Sequence, residues 1–92
     1  MVRRDYKETE LKALILEFLK RQGRWGSHYF PVPTMTNWLS KAIKKNGTRV
    51  KKAIRNLAKE GYILLHKKGS AISLNPRLAK EINEYTIKEL RK

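Results

Sequence analysis

The sequence contains no cysteine. That excludes a disulfide scaffold and any zinc site built on thiolates. Histidine is scarce too: only His28 and His66 are present, and no third ligand type stands at metal spacing. The acids are few and scattered. Asp5, Glu8, Glu10, Glu17, Glu60, Glu81, Glu84 and Glu89 read as helix caps or helix-surface residues. Neither a phosphate-cradling glycine loop nor a nucleophile motif appears. These absences point away from an enzyme, and no cofactor or small-molecule ligand is expected. Long apolar runs are also missing; none approaches the roughly 18 residues needed to span a bilayer. The basic start Met1-Val2-Arg3-Arg4 leads into LKALILEFL, but Lys12 and Glu17 interrupt that run and Asp5, Glu8 and Glu10 precede it. A secretory signal would not carry these charges, so a cytoplasmic protein is expected.

What the chain has in excess is positive charge. Lys and Arg number 22 against 8 Asp and Glu, a net charge of +14 over 92 residues. The excess is uneven. Residues 41–70 carry ten Lys or Arg and one acid, Glu60, for +9, while residues 1–40 carry +3 and residues 71–92 carry +2. A uniform coat of charge serves solubility; a concentration in one third of the chain favours a polyanionic partner. A membrane surface fits poorly, because no helix pairs a basic face with a wide exposed aromatic one. The length is that of one domain, residues 1–92, with a modest core. A hydrophobic fraction of 40% lies far from the composition of disordered chains.

Asp5-x-x-Glu8 reads as the capping pair of a first helix, over about residues 6–21. Leu11, Leu14, Ile15, Phe18 and Leu19 form its apolar stripe, Lys20 and Arg21 suit the negative end of its dipole, and Gly23 ends it. The segment 24–33, with Pro31 and Pro33, admits only a short edge strand at Tyr29-Phe30. Thr34 is the expected N-cap of a second helix, with Met35, Trp38, Leu39, Ala42 and Ile43 on its apolar face. Trp38 is therefore expected in the core, while Trp25, in a loop, is open to either placement. Asn46-Gly47 reads as a turn and Thr48 as the cap of a third helix, about 49–60. Its inward face is Val50, Ala53, Ile54 and Leu57, and Gly61 stops it. The period then changes. Tyr62 to His66 and Ala71 to Leu74 read as the two strands of a hairpin around Lys67-Lys68-Gly69-Ser70. Asn75-Pro76 opens a last helix, about 76–90, with Leu78, Ile82 and Tyr85 on one face.

A helix-turn-helix followed by a β-hairpin resembles the winged-helix family, as in small prokaryotic and archaeal-type transcriptional regulators. The resemblance rests on two stretches. Pro33-Thr34-Met35-Thr36-Asn37-Trp38-Leu39 is similar to the family's positioning helix. Residues 46–63 are similar to a recognition helix running into the first wing strand, with the family's Leu-x-x-x-Gly-apolar-Ile pattern at Leu57, Gly61, Tyr62 and Ile63. It covers residues 6–75 and implies an α+β, mostly helical fold: a three-helix core with a β-hairpin wing, and residues 76–92 added as a C-terminal helix. It also implies binding of double-stranded DNA, sequence-specifically and as a transcriptional regulator associated with the nucleoid. Members often dimerise through an added terminal helix, and Ile87, off the inward stripe, is the residue available for a homodimer.

The residues themselves support a DNA partner. At 100° per residue, Lys52, Arg55 and Lys59 lie opposite Val50, Ile54 and Leu57. Thr48, Arg49 and Asn56 join that outer arc on one side and Lys51 on the other. A B-DNA major groove admits an α-helix; Arg pairs bidentately with guanine and Asn with adenine. Arg49, Arg55 and Asn56 are thus the candidate base readers. Lys51, Lys52 and Lys59 are candidates for phosphates, which position without specifying. Thr48 and the first amides of the helix can meet a phosphate at the positive dipole end. Lys67 and Lys68 at the hairpin tip can reach backbone phosphates or a minor groove, although such lysines also guard a sheet edge. Lys44 and Lys45, with Lys41, can touch the backbone beside the groove or simply complement a helix dipole. Two other readings remain open at this point: an RNA- or ribosome-associated winged-helix protein, and a winged-helix module that binds an acidic protein.

Overall fold

Glu8–Arg21 forms the first helix, α1. The computed structural model describes residues 7–40 and 46–90. Asp5, the expected cap, lies outside them. The helix starts instead from Lys7, whose backbone N–H donates to the Glu10 carboxylate at 3.0 Å, and Glu8 is used elsewhere. At the far end Gly23 adopts φ +67°. Its N–H donates to the Lys20 carbonyl at 3.0 Å and that of Arg24 to Leu19 at 3.0 Å, the paired bonds of a Schellman cap. The buried surface of α1 is wider than the expected stripe. Ala13, Leu16 and most of Lys12 are covered as well as Leu11, Ile15 and Leu19. α1 packs against the helices at 46–59 and 79–90 and also touches the sheet, so little of its circumference is left to water. Lys12 reaches the Glu60 carboxylate at 3.0 and 3.2 Å, which keeps its charge partnered at the edge of the core.

The expected edge strand is present, shifted by one residue: β1 is Phe30–Pro31. The second helix, α2, follows at once as Val32–Ser40. Thr34 is therefore not its N-cap but a residue inside it. Pro33 sits in the first turn, where a missing N–H costs no helical hydrogen bond. Trp38 is a second correction: it is 51% exposed rather than core. Met35 and Leu39, four apart, fill the narrow buried stripe of this short helix. Trp38 falls beside the stripe and covers Phe18, with ring centroids 4.7 Å apart. Ala42 and Ile43 lie outside the described residues.

The third helix, α3, is Asn46–Lys59. Asn46-Gly47 is thus helical backbone rather than a separate turn, and Thr48 lies within the first turn rather than capping it. Turn-forming residues are tolerated there because first-turn N–H groups have no intrahelical acceptor. The inward face is as expected, with Val50, Ala53, Ile54 and Leu57 buried. Gly61, at φ +86°, closes the helix with a second Schellman cap, Gly61 N–H to Ala58 at 3.1 Å and Tyr62 N–H to Leu57 at 3.0 Å.

The hairpin follows. β2 is Ile63–His66 and β3 is Ala71–Leu74, joined by a 3-10 turn over Lys67–Gly69. The three strands are antiparallel in the order β1-β3-β2, with Phe30 opposite Ile72 and Ile63 opposite Leu74. Because β3 lies in the middle, all four of its residues are buried. Trp25 resolves to a half-buried position against the core, bridged to Leu74. Asn75 then locks the base of the hairpin. Its N–H donates to Tyr62 at 3.0 Å, its amide to Gly61 at 2.9 Å, and its side-chain oxygen accepts from Arg77 at 3.0 Å. Pro76–Leu78 makes a 3-10 turn into the last helix, α4, Ala79–Leu90. The whole is an α+β, mostly helical fold compatible with a winged-helix-like layout. None of its helices, among the described residues, is long and apolar enough to cross a membrane.

α4 docks along α1 through Ile82 and Thr86, with Leu78 and Tyr85 half-buried beside them. Burial, then the nearby carboxylates of Glu89, Glu60 and Glu8 and the Tyr62 phenol, push the Tyr85 phenol up to about 12. A group raised in the folded state lends stability that is complete below its ordinary value near 10 and is lost as pH rises through 12. Stability should therefore fall between pH 10 and 12 more steeply in the wild type than in Tyr85→Phe. Urea melts of both proteins across that window test this; parallel curves would refute it.

Candidate nucleic-acid interface

The α3 face away from the core is basic as expected. Lys51, Lys52, Arg55 and Lys59 are exposed, while Arg49 and Asn56 are half-buried at one edge. The twist of the helix divides this arc between two neighbours. On one side, Lys51 and Arg55 meet Lys68 and Gly69 of the hairpin tip across an open cleft of about 380 Å³. Its remaining lining is apolar: Val32, Ile54 and Leu65. Among the described residues, three cations, no acid and an apolar floor therefore share one groove between helix and hairpin.

On the other side, Arg49 and Lys52 meet Glu8 and Leu11 of α1 around a smaller hollow of about 160 Å³. Here Asn56 donates from its amide nitrogen to the Glu8 carboxylate at 2.7 Å. Pairing with adenine needs both the donor and the acceptor of an Asn amide, so Asn56 would first have to leave Glu8. Of the three candidate base readers, Arg55 stands in the groove facing the hairpin, whereas Arg49 and Asn56 lie toward α1. The outer arc alone shows no acid in the sequence; Glu8, some fifty residues earlier, enters only through the helix packing.

The hairpin tip is built on left-handed backbone. Lys67 and Lys68 have φ of 50° and 59°, and Gly69 has φ 88°. The glycine was the expected turn residue; the two lysines pay a steric cost that Gly or Asn would largely avoid. The turn is held from both ends. Ser70 donates its hydroxyl to the Lys67 carbonyl at 2.8 Å, and its own carbonyl accepts the Val32 N–H at 2.9 Å. The lysines diverge. Lys68 lines the groove, while the Lys67 ammonium lies 5.1 Å from the Tyr29 ring centroid on the outer face of the sheet. Tyr29 stacks on His66 at 4.9 Å. The Ser73 hydroxyl donates to the Gly26 carbonyl at 2.6 Å and pairs with His66 Nε2 at 2.9 Å. Since the hydroxyl proton is spent on Gly26, Nε2 must carry the proton it shares with Ser73.

Lys68→Asn is expected to raise stability by about 0.5–1 kcal/mol, because Asn accepts left-handed backbone more readily. The same change should weaken polyanion binding. Urea melts alongside binding titrations check both signs, and a loss of stability would show that Lys68 is not strained.

Lys41, Lys44 and Lys45, like Arg3 and Arg4, lie outside the described residues. Thr48 contributes backbone to the first turn of α3. Leu65 was not singled out from the sequence. Strand alternation gives no signal for it: Leu65 shares a face with buried Ile63, so the pattern would single out Leu64 instead. Among the described residues no cluster of three or more His, Asp or Glu could hold a metal ion. Comparison with family models, with curated proteins and with solved structures found no match.

Proposed function

We propose that this chain is a winged-helix protein that binds double-stranded DNA sequence-specifically, as a transcriptional regulator rather than an enzyme. In this reading α3 enters the major groove and the 66–70 hairpin is the wing, resting on the backbone or the minor groove. The observation that carries it is the groove in which Lys51 and Arg55 of the helix face Lys68 of the hairpin, with no acid in its lining among the described residues. Two elements separated in sequence converge their cations on one surface, as a duplex backbone requires. Arg55 is the leading base reader. Lys51, Lys52, Lys59, Lys67 and Lys68 supply phosphate contacts. The reading includes a homodimer, supported by Ile87, which lies off the inward stripe of α4 and is 51% exposed while Ile82 is buried. Two-fold dimers read half-sites about one helical turn apart.

The test is fluorescence anisotropy with duplex DNA, duplex RNA and single strands over a salt series. Five lysines on phosphates give a slope of about −4.5 in log K against log salt, so that affinity for duplex DNA should fall about five-hundredfold between 50 and 200 mM. Equal affinity for duplex RNA would move the reading to an RNA- or ribosome-associated protein. Weak, salt-insensitive binding to every nucleic acid would leave an acidic protein as the partner. Sedimentation equilibrium on the same samples decides the dimer.

A further inference from the structure

The groove between α3 and the hairpin contains a residue that its charge does not explain. Leu65 is 53% exposed and lies among Lys51, Arg55 and Lys68. The other large exposed apolar side chains, Tyr29, Trp38 and Ile87, do not line this groove. Water around an exposed leucine is displaced favourably by any apolar surface. A ligand that satisfies the cations and also covers Leu65 must therefore alternate anionic and apolar chemistry over a short distance. A sugar–phosphate strand does so: between successive phosphates lies one sugar, with a C–H edge.

We infer that Leu65, beside Val32 and Ile54, contacts the deoxyribose edge of the strand whose phosphates meet Lys51 and Lys68. This rests on the duplex-binding reading and adds to it a non-ionic, sequence-independent contact. Val32 and Ile54 lie beside Leu65 in the groove lining, so the sugar meets a patch rather than a lone side chain. The cations come from two walls, Lys51 and Arg55 from α3 and Lys68 from the turn, so the strand runs along the groove between them. Each lysine should contribute about one unit of salt slope. Leu65 should contribute none, because a hydrophobic contact releases no counterions.

The experiment compares wild type, Leu65→Ser and Lys68→Ala on two duplex DNAs of unrelated sequence over a salt series. Leu65→Ser is expected to weaken binding about fivefold, equally on both duplexes and at every salt concentration, with the slope unchanged. Lys68→Ala is expected to flatten the slope. Thermal melts confirm that each variant is folded, and Leu65→Met should restore affinity if Leu65→Ser loosens the hairpin. An unchanged affinity in Leu65→Ser, with Lys68→Ala still flattening the slope, overturns the sugar contact and leaves duplex binding standing. A loss confined to one duplex means a base contact and overturns it too. Absence of salt-dependent duplex binding by the wild type overturns the functional reading, and this inference with it.

Discussion

Reversing two charges on α3, Lys52→Glu together with Arg55→Glu, is expected to reduce duplex affinity at least a hundredfold at 100 mM salt. Each substitution removes one positive charge and adds one negative, so the net charge falls from +14 to +10. That overall change is modest. The expected effect is large because both reversals fall on the surface proposed to meet the duplex. Arg55 lines the groove toward the hairpin and Lys52 the hollow toward α1, so the pair samples both edges of the basic arc. Losing the Lys52 phosphate contact should lower the salt slope by about one, losing Arg55 removes a base contact, and two new carboxylates would repel the backbone in addition. The fold should not suffer. Both side chains are exposed, and such surface changes are usually within about 0.5 kcal/mol of neutral. A double variant that melts like the wild type yet binds equally well would remove α3 from the interface altogether.

The second large effect is on stability. Leu57→Ala should destabilise the domain by about 2–5 kcal/mol, the range for truncating a fully buried leucine. Leu57 has no accessible surface, and its carbonyl receives the Tyr62 N–H that turns the chain into β2. The side chain thus anchors the end of α3 while its backbone fixes where the hairpin departs. A small domain has about 5–15 kcal/mol in total, so the variant should melt at least 10 °C lower. Urea denaturation gives the number; a loss under 1 kcal/mol would mean that the site collapses around the smaller side chain.

These residues show what the sequence alone could reveal. The inward faces of α1 and α3, the glycine stops at Gly23 and Gly61, and the hairpin around Gly69 were legible, because each is a local matter of period or left-handed backbone. Helix starts were not. α2 and α3 each begin two residues earlier than their supposed caps, since Pro33 and Gly47 are acceptable in a first turn and mark no sharp boundary. Trp38 was misplaced because periodicity tells which residues share a stripe, not how wide a stripe the neighbours cover. For the candidate site, the basic residues of α3 and of the tip were legible one by one. Their division into a side with Lys68 and a side with Glu8 was not, because it arises from packing between segments far apart in the chain.

The position of β3 has a consequence for how the chain reaches this structure. The middle strand of the sheet is the last to be made, and Phe30 must wait about forty residues for Ile72 to pair with it. Until then Ile72 and Leu74 are missing from the core and β1 has no hydrogen-bonded neighbour. A nascent chain ending before residue 71 therefore holds its first three helices without the element that joins hairpin to body. Folding should be concerted and late, with the slow step set by a long-range strand pairing rather than by helix formation. A ribosome-bound series of increasing length should acquire protease resistance in one step, only after Leu74 has left the exit tunnel.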